Sequence, residues 1–549
     1  MIRVVLVDKK KILICSNIYP PEFIGGAELI AHKQAKEMMA QGHDVLVFAG
    51  QAMLNKKEYS IIKDSYEGIP IYRIQLTYER FNVDKTNFIQ PSLDDVFLKV
   101  LSEFNPDVVH CHNIAGLSIR IIYLAKKMGC TTVVTIHDNW GFCFKNTTIN
   151  INNTVCEDYN SCYRCMRYIY GEHKHIPIRI RRDYIKYLLN YADALISPSQ
   201  YLADTYSRAG FDRNRIQVLW NGIEVEKFNK VIKKASVPIR FTFIGHIGWH
   251  KGIHLLLEAC HLLKDKYPIQ INIVGKGEEL ENYKEQVRNL DIKDNVIFWG
   301  KINNSDIIKA YEDTDVLILP SVWPENQPVS ITEAMAAHIP VIATNKGGST
   351  ELVQVGHTGY LFKLGEAQDL AFYMEKYLKE PFLIAEHGNN AYELIKRYTV
   401  TNQVSKLINL YDCLKINPNS IKKNGIWVVV IEADSFDENL MNEFNRFENY
   451  NVLFALKEWL DDDESLNARE YCIIDSDKIN DIVIKRMNQK KSVLIYDCNT
   501  VLLPLGIKGG SCHIVRKNRL FNQLSYCKED TIQYNTIQYN TIQYNYKLR

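Results

Sequence analysis

The sequence predicts an α/β protein of two doubly wound domains in tandem, followed by a smaller α/β extension. Three observations carry this. Short apolar runs alternate with stretches of helical period, the signature of βαβ units on a parallel sheet. The alternation restarts once, after a polar stretch at 229–238, NKVIKKASVP. And 549 residues are more than one hydrophobic core organises.

The elements follow in order. KILICS (11–16) leads into a Gly-Gly loop and a helical stretch from about Ala27 to Ala40. DVLVFA (44–49), IPIYRI (69–74), DVVHCH (107–112), TTVVTIH (131–137) and DALISPS (193–199) complete the strands of the first unit, residues 1–228. The second unit, 229–416, reads RFTFIGHI (240–247), IQINIVG (269–275), NVIFWG (295–300), DVLILPS (315–321) and PVIAT (340–344), and is closed by the helical stretch NQVSKLINLYDCLK (402–415). The extension, 417–549, holds the strand-like runs GIWVVVIEAD (425–434), YNVLFAL (450–456), EYCIIDS (470–476) and SVLIYDC (492–498), and no catalytic motif. It ends in a triple repeat, TIQYN, at 531–545, too short for a solenoid.

Composition excludes several classes. A net charge of +2 argues against a nucleic-acid binder driven by bulk charge. No apolar run reaches the roughly 20 residues a membrane span needs. The first residues, MIRVVLVDKKKILICSN, read as strand material rather than a secretory signal. Most of the 13 cysteines are scattered in apolar runs, as buried thiols in a reducing cytosol are. A cytoplasmic protein is expected.

The chemistry sits at strand ends. Gly25 and Gly26 lie between the first strand and first helix, where backbone N–H groups and the helix dipole favour an anion. The spacing is neither a G-x-G-x-x-G fingerprint nor a P-loop, which disfavours a dehydrogenase and a kinase. In GHIGWHKG (245–252), Lys251 stands at the mouth of a strand, placed to meet phosphate as a point charge. Gly275 and Gly277 mark another strand end. In WPENQPVSITEAMA (323–336), prolines hold Glu325 in a loop and Glu333 falls about two turns into the helix that follows. Carboxylates at a strand mouth accept hydrogen bonds from sugar hydroxyls, and the loop N–H groups can receive a diphosphate. Together these features predict a phosphorylated, hydroxyl-rich ligand between the two domains.

Over about residues 10–416 the sequence resembles the retaining glycosyltransferases of family 4, which have the GT-B fold of two Rossmann-like domains and a deep interdomain cleft. The resemblance rests on YPPEFIGGAE, DVVHCH, TIHDNW, SPSQYL, VLWNGIEVEKF, GHIGWHKG, VGKGEEL and ENQPVSITEAMA. It implies roles. Glu333 would hold the donor ribose, Glu325 would contact the transferred sugar, and Lys251 would neutralise the leaving diphosphate. Gly25 and Gly26 would approach the phosphates, and His137 would reach the sugar from across the cleft. Backbone at Gln327, Pro328, Val329 and Ser330 would cradle the diphosphate. Gly275 would line the donor site, and Trp299, Gly300 and Lys301 would lie near the base. One position departs: His246 stands where the family often has Arg, so the diphosphate grip loses a guanidinium fork. A nearby dianion favours the charged imidazole, and donor binding is expected to weaken as that proton is lost.

The implied reaction is metal-independent transfer from a nucleotide diphosphate sugar to a glycan or lipid-linked acceptor, in surface polysaccharide synthesis. Two rivals stand beside it: a nucleotide-sugar epimerase of the same fold, and a catalytically weak partner subunit.

Four further features invite readings. Asp313-Thr-Asp315 precedes a strand and is expected to be a solvated turn away from the cleft. His110 and His112 share one strand face with no third metal ligand obvious nearby, so a core or cleft-lining role is expected. Cys143, Cys156, Cys162 and Cys165 fall in one insertion, with the C-x2-C spacing of a structural zinc or iron–sulfur site. Lys174, Arg179, Arg181, Arg182 and Lys186 form a basic stretch, read either as a solvated helix face or as a contact for anionic lipid at the inner face of the membrane.

Overall fold

The computed structural model describes residues 9–416 apart from 24, 53–56, 78–89, 115, 153, 160–161, 163–164, 167, 171–174, 232–236 and 304–305; beyond 416 it describes four strands. The TIQYN repeat, Lys174 and the run EYCIIDS lie outside the described residues.

The first sheet comprises β1 (Lys11–Ser16), β2 (Asp44–Ala52), β3 (Ile61–Tyr66), β4 (Ile69–Leu76), β5 (Val108–Cys111) and β6 (Thr131–Thr135). After the small ribbon β7 (Tyr168–Tyr170) and β8 (His175–Pro177) it adds β9 (Ala194–Ser197) and β10 (Ile216–Val218). Its order is β10-β9-β6-β5-β1-β2-β4-β3, parallel except for the edge pair β3–β4. The second sheet, β11 (Ile239–Ile244), β12 (Ile269–Val274), β13 (Val296–Gly300), β14 (Val316–Leu319), β15 (Val341–Thr344) and β16 (Gly359–Phe362), is wholly parallel in the order β13-β12-β11-β14-β15-β16. In both sheets the strand order reverses beside the first strand, so loops diverge there and open a crevice at the strands' C-terminal ends. The inner strands are apolar because helices cover both faces; Ile12, Leu13, Ile14, Val316, Leu317 and Ile318 are fully buried.

The extension forms β17 (Trp427–Ile431), β18 (Val452–Leu456), β19 (Val493–Asp497) and β20 (Ser511–Val515), in the order β18-β17-β19-β20. Three of its strands match expected runs; β20 does not.

Five helices position the site: α1 (Gly26–Ala40), α2 (Ile178–Leu189), α3 (Gln200–Arg208), α4 (Val329–Ala336) and α5 (Val400–Ile416). α5 closes the second unit in sequence but packs on the first. Its Val404, Leu407, Ile408 and Tyr411 fall at helical spacing and join Ile12, Ile14, Val45 and Val47 in one cluster. The Tyr411 hydroxyl reaches His110 Nδ1 at 2.8 Å.

Two expectations are corrected. The basic side chains of α2 form neither a solvated face nor a lipid contact: Arg179, Arg181 and Arg182 are buried. Asp183 pairs with Arg179 at 3.0 Å and with Arg182 at 3.1 Å, and the Tyr159 carbonyl accepts from Arg182 at 3.2 Å. Burial moves the Lys186 ammonium down to about 8. Nor is Asp313-Thr-Asp315 a solvated turn. It does precede β14, but Asp315 is buried and Arg240 bridges both carboxylates.

Candidate active site

The second domain's wall of the cleft is built at the end of β14. After Leu319 the chain leaves the sheet through Pro320 to Pro324 and delivers Glu325. The loop carrying Lys251 packs directly beneath. Gly252 takes φ +69°, and a Cβ there would lie 2.0 Å from the Pro320 carbonyl, so only glycine fits. From the other side Gly347, at φ +71°, pairs with the Glu325 backbone; a Cβ there would lie 2.4 Å from the Glu325 carbonyl oxygen. Both contacts fix the glutamate's backbone.

The Glu325 side chain is held just as firmly. Its Oε1 accepts from Lys251 Nζ at 2.7 Å, Ser321 Oγ at 2.7 Å and Trp323 Nε1 at 2.8 Å. Burial pushes its pKa up, but the Lys251 ammonium and these donors outweigh it and hold the carboxyl below the usual range. The lysine also lies 4.8 Å over the Trp323 ring. His250 packs edge-on against the same ring at 4.6 Å, and burial, aided by Lys251, pushes it down to about 4. It is a neutral spacer at pH 7.

Four residues further on, α4 begins without a side-chain cap, leaving its first-turn N–H groups at Val329 and Ser330 for an anion. The N-terminus of α1 comes to meet it: a Cβ on Gly26 would be 3.3 Å from Val329 Cγ2. Gly25 is the extended N-cap of α1, and its N–H donates to Glu28 Oε2 at 3.0 Å. Two helix N-termini thus converge on one space, one from each domain. Within α4, Glu333 accepts from the Tyr311 hydroxyl at 2.8 Å. Burial raises its pKa, and Lys33 of α1 pulls against that. Lys33 itself pairs with Glu224 at 3.2 Å. Gln327 Oε1 accepts from the Asn221 N–H at 2.8 Å, while its buried Nε2 has no partner among the described residues. Gly275 donates its N–H to the Gly300 carbonyl at 2.9 Å, which brings those strand ends side by side; the Trp299 Nε1 next to them is buried without a partner among the described residues. His246 stands apart from this set, half exposed and 2.8 Å from Glu278.

The first domain's wall is different in kind. His137 follows β6, and its Nε2 lies 2.8 Å from His112 Nδ1; His112 stacks on His110 at 4.5 Å. His110 Nε2 meets Thr135 Oγ1 at 2.7 Å. Burial depresses all three imidazoles, His110 to about 3 and His137 to about 4. The core role expected of His110 and His112 is what the structure has. Their tautomers can be argued. His112 Nε2 is buried without a partner among the described residues, and an orphaned lone pair costs less than an orphaned N–H. So His112 donates from Nδ1 to His137 Nε2, and the His137 proton sits on Nδ1.

Three residues escaped sequence reasoning. Asn326 Nδ2 donates across the cleft to the His137 carbonyl at 3.0 Å, and its Oδ1 is buried without a partner. Asp138 accepts from the Trp140 N–H at 2.8 Å; burial lifts its carboxyl to about 6, and Glu28 adds to the rise. Glu351 of the second domain caps α3 of the first, accepting from the Gln200 and Tyr201 N–H groups at 2.9 and 2.7 Å. The signal for the first two was adjacency: each follows a residue already singled out.

The four cysteines of the insertion are free thiols gathered near one another. Burial raises Cys162 to about 11, and the other three charges would add to the rise. Among the described residues no group of three or more His, Cys, Asp or Glu side chains is placed to hold a metal ion. No helix among them is long and apolar enough to cross a membrane.

Two family descriptions match in tandem: Glycosyltransferase Family 4 over residues 24–227 and glycosyl transferases group 1 over 224–394. An uncharacterized glycosyltransferase of Methanocaldococcus jannaschii is 22% identical over 73% of this chain and 97% of its own. The amylovoran biosynthesis glycosyltransferase AmsK of Erwinia amylovora is 29% identical over 36% of this chain and half of its own. Among solved structures, Anabaena HepE in complex with UDP has a TM-score of 0.54 at 19% identity, covering 74% of this chain and all of that one. Sucrose-phosphate synthase of Thermosynechococcus elongatus has 0.57 at 17%, covering 74% and 99%. With two tandem parallel-sheet domains, the glutamates at the end of β14 and matches running from 24 to 394, the chain belongs to the group 1 glycosyltransferases of GT-B fold.

Proposed function

We propose that the chain moves a sugar from a nucleotide diphosphate sugar, with retention at the anomeric carbon, to a glycan or lipid-linked acceptor in building a surface polysaccharide. One observation carries the reading: a largely buried Lys251–Glu325 pair stands beside two converging helix N-termini. The likeness to the amylovoran biosynthesis glycosyltransferase AmsK and to UDP-bound HepE supports the donor and the setting.

In this reading the anomeric C–O bond to the diphosphate breaks and a bond to the acceptor oxygen forms on the same face. The acceptor proton passes to the departing phosphate oxygen. Negative charge grows on the diphosphate and positive charge on the sugar. Lys251 and the first-turn N–H groups of α4 and α1 meet the former, and this donor set needs no metal ion. The anionic Glu325 faces the latter. His137 Nδ1–H donates to the sugar from the other wall, and Asn326 keeps the walls in register. Glu333 takes the ribose hydroxyls.

The test is calorimetry with a panel of nucleotides and nucleotide sugars on the wild type and Glu333→Ala. One nucleotide is expected to bind, and the variant to lose about tenfold or more, as for a charge-assisted hydrogen bond of about 1.5–3 kcal/mol. A folded wild type that binds no member of the panel overturns the reading.

A further inference from the structure

A cavity of about 260 Å³ lies at the seam of the two domains, lined by Glu157 and Tyr159 of the cysteine insertion, Tyr201 and Arg208 of α3, and Lys346 and Gly347 of the second domain. None of these side chains has a part in the site above. Yet the cavity abuts it, because Gly347 pairs with the Glu325 backbone and the Gly348 N–H donates to the Glu325 carbonyl at 2.6 Å. A chain bound with one end at Glu325 and leaving the cleft on this side would run into it.

Its lining is selective. The half-buried Tyr201 offers a ring and a hydroxyl, the combination that packs against a sugar ring. Arg208 lies 5.4 Å over the Tyr159 ring, donates one hydrogen bond, to Thr205 Oγ1 at 3.2 Å, and makes no ion pair among the described residues. A guanidinium has five N–H donors in a fork suited to carboxylate or phosphate, so most of this one is uncommitted. Lys346 meets Glu157 only at 3.8 Å, with the glutamate 75% exposed, a pairing worth little. The cavity therefore has two cations for one loosely held anion.

We propose that this cavity is an acceptor subsite for a sugar unit bearing an anionic group. The group is either the carboxylate of an acidic sugar or a phosphate on the saccharide. The inference rests on the transferase reading, since it places the acceptor beside Glu325. It also explains why the insertion follows TIHDNW so closely: the insertion supplies one wall of the acceptor path.

The test begins with UDP, whose binding to the wild type checks the donor reading alone. With UDP saturating, glucuronic acid, glucose 6-phosphate and glucose are titrated by ligand-observed NMR against the wild type, Arg208→Ala and Lys346→Ala. At least one charged sugar should bind tenfold more tightly than glucose. Preference for glucuronic acid assigns a carboxylate, and preference for glucose 6-phosphate assigns a phosphate. Each variant should lose that preference while keeping its UDP affinity and melting temperature. Equal binding of all three sugars, or a charge preference that survives both substitutions, overturns the proposal even when UDP binds.

Discussion

The two walls of the cleft bury comparable amounts of ionisable chemistry and treat it in opposite ways. On the second domain, Lys251, Ser321 and Trp323 converge on one oxygen of Glu325 and keep it charged despite burial. On the first, His110, His112 and His137 have only each other, a threonine and a tyrosine, and burial drives them neutral; Asp138 is pushed the same way, towards its protonated form. Desolvation acts on both walls. A full-strength counter-charge stands on one. The contrast suits the proposed charge-separating reaction: the charged wall would meet the diphosphate and the developing cation, and the neutral imidazoles of the other would orient hydroxyls without adding a competing cation.

The sharpest way to break the contrast is to remove the counter-charge. Lys251→Ala strands a buried carboxylate. It should cost about 3–5 kcal/mol of stability and lower kcat about 10³-fold, read by thermal melts and by donor turnover. Lys251→Met combined with Glu325→Leu should recover much of the stability and none of the activity. A double variant as unstable as the single one would show that the pair is not what holds this wall.

Acid attacks the other wall. The folded pKa of each triad histidine lies below its unfolded value near 6.5. Below that pH the unfolded chain takes up protons that the native state refuses, so stability is full above about 6.5 and falls as pH drops towards 4. At about 1.4 kcal/mol per pKa unit, several kcal/mol are at stake. Asp138 runs the other way. Its carboxyl titrates near 6 in the fold, so its buried charge destabilises above that pH and the penalty fades as it protonates. Asp138→Asn should therefore gain up to about 3 kcal/mol at pH 7 and only about 1 kcal/mol at pH 4.5. Melting curves of both proteins from pH 7.5 to 4.5 separate the two effects, and parallel curves would refute the Asp138 assignment.

A smaller effect sharpens the neutral wall. If His112 sets the tautomer of His137, His112→Phe leaves the His137 Nε2 unpartnered and frees the ring to place its proton on either nitrogen. We expect about a tenfold fall in kcat with KM for the donor little changed, and 15N shifts showing His137 protonated at Nδ1 in the wild type and mixed in the variant. A pure Nδ1–H form in both would assign the orientation to something other than His112.

The same contrast explains what could be read from the sequence. That Lys251 and Glu325 stand at strand ends and Glu333 in the helix that follows was legible because prolines and glycines mark where loops leave the sheet, and the parallel sheets were legible because buried strands are continuous apolar runs. What was not legible depends on partners far away in the chain. Asn326 matters through His137, 189 residues earlier. α5 has an apolar stripe in either domain assignment, and only the fold shows that the stripe packs on the first domain, against α1 and β6. The arginines of α2 look solvated until Asp183 and the carbonyls of Trp140 and Tyr159 are seen around them. Cys162-x2-Cys165 has metal spacing, but spacing does not place the other two thiols.

The smallest expected effect concerns His246, where the charged wall is incomplete. Its Nε2 is engaged by Glu278 at 2.8 Å, and both side chains are more than half exposed. A diphosphate arriving here competes with a carboxylate for one imidazole, and that carboxylate also repels it. His246→Arg supplies a fork able to serve Glu278 and phosphate together. Glu278→Gln removes the competitor and its charge. Each should tighten binding of the donor's nucleotide diphosphate by about 1 kcal/mol or less, the range of exposed ion pairs, which calorimetry reads as up to about fivefold. The two share one partner, so their effects should not add. Additive gains would mean that Glu278 acts on the nucleotide directly and not through His246. No gain from either would place His246 outside the diphosphate grip, leaving Lys251 and the two helix N-termini to hold the leaving group without it.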